Sequence, residues 1–96
     1  MLLNLTFSGG SEVIFGDKRH HEVEVADELD VGALIEWIVE RLVVDKPKTS
    51  LLFVDGDVRP GILVLVNDVD WEITGGLRTR LQNKDTITFI STLHGG

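Results

Sequence analysis

The stretch VGALIEWIVERLVV, Val31–Val44, decides the fold. Leu34, Ile35, Ile38 and Leu42 recur at three- and four-residue intervals and make one apolar stripe, while Glu36 and Glu40 fall on the other side. Asp30 stands where an N-cap belongs, its carboxylate placed to accept from the free amides of a first helical turn. Gly32 is unfavourable near a helix start, by about 1 kcal/mol relative to alanine in an interior position. Pro47 biases Lys46 towards an extended backbone and closes the helical region.

Outward from this helix the chain alternates like strands. LLNLTF, residues 2–7, puts Leu3, Leu5 and Phe7 on one face; Ser8-Gly9-Gly10 reads as a turn, and EVIF, residues 12–15, as a returning second strand. Gly16-Asp17 breaks it before HEVEV, residues 21–25, alternates again. On the other side, LLFV, residues 51–54, is a short strand candidate and DGDVRPG, residues 55–61, a loop. ILVLV, residues 62–66, is the strongest strand; Asn67-Asp68 turns, and residues 69–73 pair back. Gly75-Gly76 and Asn83-Lys84-Asp85 are further breaks before TITFIS, residues 86–91, with Ile87 and Phe89 on the core side. One amphipathic helix needs one sheet face to cover it, so the expectation is a two-layer α+β domain over residues 1–91, followed by a flexible tail over 92–96.

Composition narrows the possible functions. The 96 residues are 43% hydrophobic, enough for one core. There is no apolar run of the ~20 residues that a spanning helix needs, and the start lacks the basic leader of a signal peptide. With no cysteine there is no disulfide, thiolate metal site or catalytic thiol, and a cytoplasmic location is the default. Nine basic against sixteen acidic residues give a net charge of −7, which argues against direct binding to nucleic acid and for basic protein partners.

Chemistry-bearing side chains are sparse. His20, His21 and His94 are too few and too scattered for a tetrahedral zinc site and read as solvated histidines. Asp55-Gly56-Asp57 lacks the further ligands of a calcium loop and reads as a turn. Ser91, Thr92 and His94 have no third group to orient the histidine, so neither catalytic residues nor a bound metal or cofactor is expected. The strand at 62–66 is more informative. If Ile62, Val64 and Val66 point towards the helix, Leu63 and Leu65 point away, joined by Ile90 of the last strand, in an apolar patch suited to a partner.

The chain ends STLHGG. Glycine has no side chain and accepts conformations closed to other residues, so Gly95-Gly96 could thread a narrow channel in another protein. A free carboxylate is a poor electrophile, but adenylation by a partner would make Gly96 an activated acyl group open to sulfur or an amine. The protein would then be a co-substrate, not an enzyme.

RPGILVLVNDVDWE, residues 59–72, and FISTLHGG, residues 89–96, closely resemble the ubiquitin-related modifier 1 family, and FSGG, residues 7–10, resembles it more loosely. The resemblance implies the ubiquitin-like β-grasp fold, a mixed sheet wrapped on one main helix. It also implies that Leu93, His94, Gly95 and Gly96 thread into an adenylating activating enzyme with a rhodanese-like domain. That enzyme would use ATP, and a persulfide would convert Gly96 to a thiocarboxylate. The sulfur would pass, through a tRNA thiolation complex, to the wobble uridine of cytosolic tRNAs. The same terminus would form isopeptide bonds with lysines of target proteins. A monomer is expected of a carrier that visits several partners. The loop from Gly75 to Arg80 departs from the family where Arg78-Thr79 replaces an expected Asp-Tyr, so its contacts are not carried over. Sulfur carriers for molybdopterin or thiamine synthesis, and a ubiquitin-like binding module that never uses its terminus, are the alternatives.

Overall fold

A computed structural model describes residues 1–92. A five-stranded sheet in the order β2-β1-β7-β5-β6 carries one main helix. Its strands are β1 (Leu2–Ser8), β2 (His20–Glu24), β5 (Ile62–Val66), β6 (Val69–Asp70) and β7 (Thr86–Ser91). A small hairpin of β3 (Phe53–Val54) and β4 (Asp57–Val58) lies outside this sheet. The central pair, β1 and β7, is parallel, with Leu5 beside Ile87 and Phe7 beside Phe89; the other pairings are antiparallel, so the sheet is mixed.

The main helix, α1 (Val31–Arg41), begins as its sequence requires. Asp30 accepts a hydrogen bond from the Ala33 amide at 2.8 Å, and the Val31 amide donates to the Thr79 carbonyl at 2.9 Å. Gly32 is explained by packing: a Cβ there would lie 3.3 Å from the Leu77 carbonyl oxygen. Val31, Leu34, Ile35 and Ile38 are fully buried against Leu3, Leu5, Phe7, Val64, Ile87 and Phe89 of the sheet, all within one core. Phe7 stacks between Phe15 and Phe89, with ring centroids 3.8 and 5.4 Å away. These rings join the sheet to the connection that follows β1.

Five local expectations need correction. Residues 12–15 are not a strand: Ser11–Phe15 is a 3-10 helix. Ile14 and Phe15 are both buried, and a strand would send successive side chains to opposite faces. The partner of β1 is instead β2, in the register Leu5 to His21 and Leu3 to Val23. The helix stops at Arg41 rather than Val44, because the Val44 amide leaves the helical path to donate to the Ile14 carbonyl at 2.9 Å. Pro47 does not hold Lys46 extended but opens a 3-10 turn, Lys46–Leu51, leaving only Phe53–Val54 of the expected strand. The expected loop 55–61 contains β4, returned by a turn at Asp55-Gly56 where both residues have positive φ. Finally, only Val69 and Asp70 pair back; Trp71–Thr74 forms a short helix, α2, capped by the Asp70 carboxylate on the Glu72 amide at 2.9 Å.

Candidate functional site

The sheet face away from α1 presents the expected apolar patch. Leu63 of β5 lies directly across from Ile90 of β7, and Leu65 lies across from Thr88, so alternation puts Leu63, Leu65 and Ile90 on one surface. All three are half-buried, whereas Val64 and Phe89 between them are fully buried on the helix side. Asp70, opposite Leu65, bounds the patch with a carboxylate.

The chain leaves the sheet beside this patch. Ser91 pairs with Ile62, and the next residue, Thr92, is tied to Gly61: both its amide, at 3.1 Å, and its hydroxyl donate to the Gly61 carbonyl. Gly9 closes the other side. Its φ is +71°, and a Cβ there would fall 2.2 Å from the Ser91 carbonyl oxygen. Only glycine lets the turn after β1 pack against the end of β7 at that distance. The turn is held in turn by Glu12. One carboxylate oxygen accepts from the Gly10 amide at 2.8 Å, the other from Arg19 Nε at 3.1 Å. Hydrogen bonding from its own amide, then from Gly10, and the nearby Arg19 charge hold the Glu12 carboxyl below its ordinary value, against an opposing effect of burial.

This root of the tail was not visible in the sequence, where Ser8-Gly9-Gly10 reads only as a turn. The contact joins residues 82 positions apart, and no local pattern marks it. Leu93, His94, Gly95 and Gly96 lie outside the described residues.

Among the described residues no group of His, Cys, Asp or Glu could hold a metal ion, and no helix is long and apolar enough to cross a membrane. His20 is exposed. His21 is half-buried, edge-on to the Phe7 and Phe15 rings, with Nε2 2.9 Å from the Lys18 carbonyl, so it belongs to the core margin. Asp55 and Asp57 flank the β3–β4 turn, where the Asp57 carboxylate accepts from the Val58 amide at 2.7 Å. Ser91 lies at the end of β7 beside Gly9, and Thr92 is bound to Gly61.

Known proteins resemble this chain in sequence and fold. Residues 2–96 match the family model described as Urm1 (Ubiquitin related modifier). The chain is 47% identical over 98 residues to the ubiquitin-related modifier 1 homolog of Dictyostelium discoideum, with both chains covered completely. It is 45% identical to ubiquitin-related modifier 1 of Bos taurus, covering 98% of this chain and 94% of that one. The solution structure of Urm1 from Trypanosoma brucei superimposes with a TM-score of 0.80 at 36% identity, covering 99% of this chain and 95% of that one. The mixed sheet on one helix is thus the β-grasp architecture, and the chain belongs to the Urm1 family of ubiquitin-like sulfur carriers and modifiers.

Proposed function

We propose that this protein carries sulfur on its C-terminal carboxylate and that the same activated terminus modifies other proteins. The observation that supports this most is the match to the Urm1 family running through residue 96, on a domain whose last strand ends in a fixed root at Thr92. A partner enzyme adenylates the Gly96 carboxylate with ATP, releasing pyrophosphate. The terminal sulfur of a persulfide on that enzyme displaces AMP, and a thiol reduces the resulting acyl disulfide to leave the thiocarboxylate. Leu93–Gly96 enter the enzyme's channel, while Leu63, Leu65 and Ile90 dock on its surface.

The thiocarboxylate then donates sulfur, within a tRNA thiolation complex, for 2-thiolation of the wobble uridine of cytosolic tRNAs. Attack on the activated terminus by a target lysine instead gives an isopeptide bond. In this reading the protein acts in the cytoplasm as a monomeric co-substrate, binds no cofactor itself and does not contact nucleic acid directly. Its net charge of −7 supports the last point, since nucleic-acid affinity rests on neutralising phosphates.

The test is the intact mass after incubation with a family activating enzyme, ATP and a sulfur donor. A gain equal to sulfur minus oxygen, mapped to Gly96, is expected. Deleting Gly96 or adding one alanine after it should abolish the gain, because the carboxylate no longer reaches the adenylating centre. An unchanged mass with an enzyme shown to be active would leave only a binding module.

A further inference from the structure

The segment from Ile73 to Lys84 carries Arg78, Arg80 and Lys84 and no acid, in a chain with sixteen acidic residues. It forms one wall of a cleft of about 500 Å³, whose other wall is the β5–β6 turn with Asn67 and Val69. Thr79, 4% exposed, lies at its base; its hydroxyl is 3.0 Å from that of Thr74, and its backbone is extended (φ −56°, ψ 121°). Arg78 and Arg80, on either side of it, are both exposed and both line the cleft.

Neither arginine makes an ion pair among the described residues; Arg80 has one long hydrogen bond, 3.5 Å, to the Glu28 carbonyl. The one acid in the cleft, Asp85, is already engaged. One of its oxygens accepts from Asn67 Nδ2 at 2.9 Å and the other from the Gln82 amide at 2.8 Å. Inside the cleft, therefore, no carboxylate is free to answer the guanidinium donors; Asp57 and Glu72 line a neighbouring hollow that Arg78 also borders. Its apolar lining is Val66 and Val69, the latter 42% exposed.

We propose that this cleft is a docking site for an extended acidic segment of a partner protein, with carboxylates at positions i and i+2 and an apolar residue beside them. Carboxylates at i and i+2 of an extended peptide lie on one side of it and can meet the two arginines of the cleft, and Val69 offers apolar surface that a small anion would leave bare. The negative net charge does not forbid this, because at physiological salt charges are screened over ~8 Å and the local guanidinium groups dominate. Asp85 adjoins Thr86 at the start of β7, so the cleft lies about 17 Å along the strand from Ser91, where the tail departs. A partner held there leaves the tail free. The site is independent of the chemistry proposed for Gly96.

The test is a titration of the isotope-labelled full chain, followed by amide chemical shifts. The probes are the peptide acetyl-Leu-Glu-Val-Glu-amide, its Leu-Gln-Val-Gln counterpart and inorganic phosphate. Saturable shifts confined to residues 66–85 with the acidic peptide are expected. Affinity should fall at least tenfold for the glutamine peptide and for the double variant Arg78→Gln, Arg80→Gln. Both residues are exposed, so this variant should keep the native spectrum and the mass gain at Gly96. No saturable shift in the cleft, equal binding of the two peptides, or phosphate binding as tightly as the acidic peptide would each overturn the proposal. Loss of the mass gain in the wild-type chain would bear only on the function proposed for Gly96.

Discussion

Replacing Gly9 by alanine probes the root of the tail directly. At φ +71° a residue with a Cβ carries a backbone penalty of about 1–2 kcal/mol. The added carbon would also lie 2.2 Å from the Ser91 carbonyl oxygen and 3.0 Å from its nitrogen, where ordinary contact begins at 3.4 Å. Both atoms are backbone, so no side chain can swing aside; the end of β7 has to move by about 1 Å. That shift disturbs the two bonds from Thr92 to Gly61, each worth about 1 kcal/mol net. The combined loss is about 3 kcal/mol, or roughly 12–24 °C in Tm for a domain of this size. Gly16→Ala is the control, because Gly16 has nearly the same φ, +69°, but nothing within 4 Å of its would-be Cβ. It should lose only the backbone part. Urea denaturation of both variants reads the difference, about 1–2 kcal/mol, and the Thr92 amide shift reports the displaced root. Equal losses, or a Thr92 signal unmoved in Gly9→Ala, would refute the close-contact reasoning.

Three further outcomes follow from the structure. Asp30→Ala removes the acceptor for the Ala33 amide and should lower stability by about 1 kcal/mol in urea denaturation, with Asp30→Asn retaining most of it. The depressed Glu12 pKa means that its contribution is complete above the unfolded-state value near 4.5 and is lost as pH falls through the lower folded-state value. Glu12→Gln should therefore be less stable at neutral pH, and its stability should fall less steeply than wild type below about pH 4.5, as measured by unfolding at a series of pH values. Leu63→Asp with Leu65→Asp should weaken binding to the activating enzyme at least tenfold while a native amide spectrum persists; unchanged affinity in a folded double variant would discard the patch as the docking surface.

Much of the fold was legible because period reports burial. Alternation in residues 2–7 and 86–91, and the helical stripe from Leu34 to Leu42, each face one core and are read correctly. Alternation also placed Leu63, Leu65 and Ile90 on one face, since register across β5 and β7 preserves it. The failures are short segments. Val13-Ile14-Phe15 is an apolar run too brief to separate a strand from a 3-10 turn, and the burial of both Ile14 and Phe15 is decided by the Phe7 ring and the core around it. Trp71–Thr74 continues an alternating run and becomes helical through the Asp70 cap, a local choice that apolar spacing does not reveal. The Gly9–Ser91 contact and the convergence of Arg78 and Arg80 on one cleft depend on tertiary placement and left no periodic trace.

The position of β7 has a consequence for biosynthesis. Of the described strands the one translated last, β7, is inserted in the middle of the sheet, between β1 and β5, and supplies Ile87 and Phe89 to the core. While it is still within the ribosome, no strand pairing joins β1 and β2 to β5 and β6, which meet in the sheet only through β7. A prematurely terminated chain thus loses the centre of its sheet together with everything beyond it. Closure of the five-stranded sheet therefore requires synthesis through residue 91.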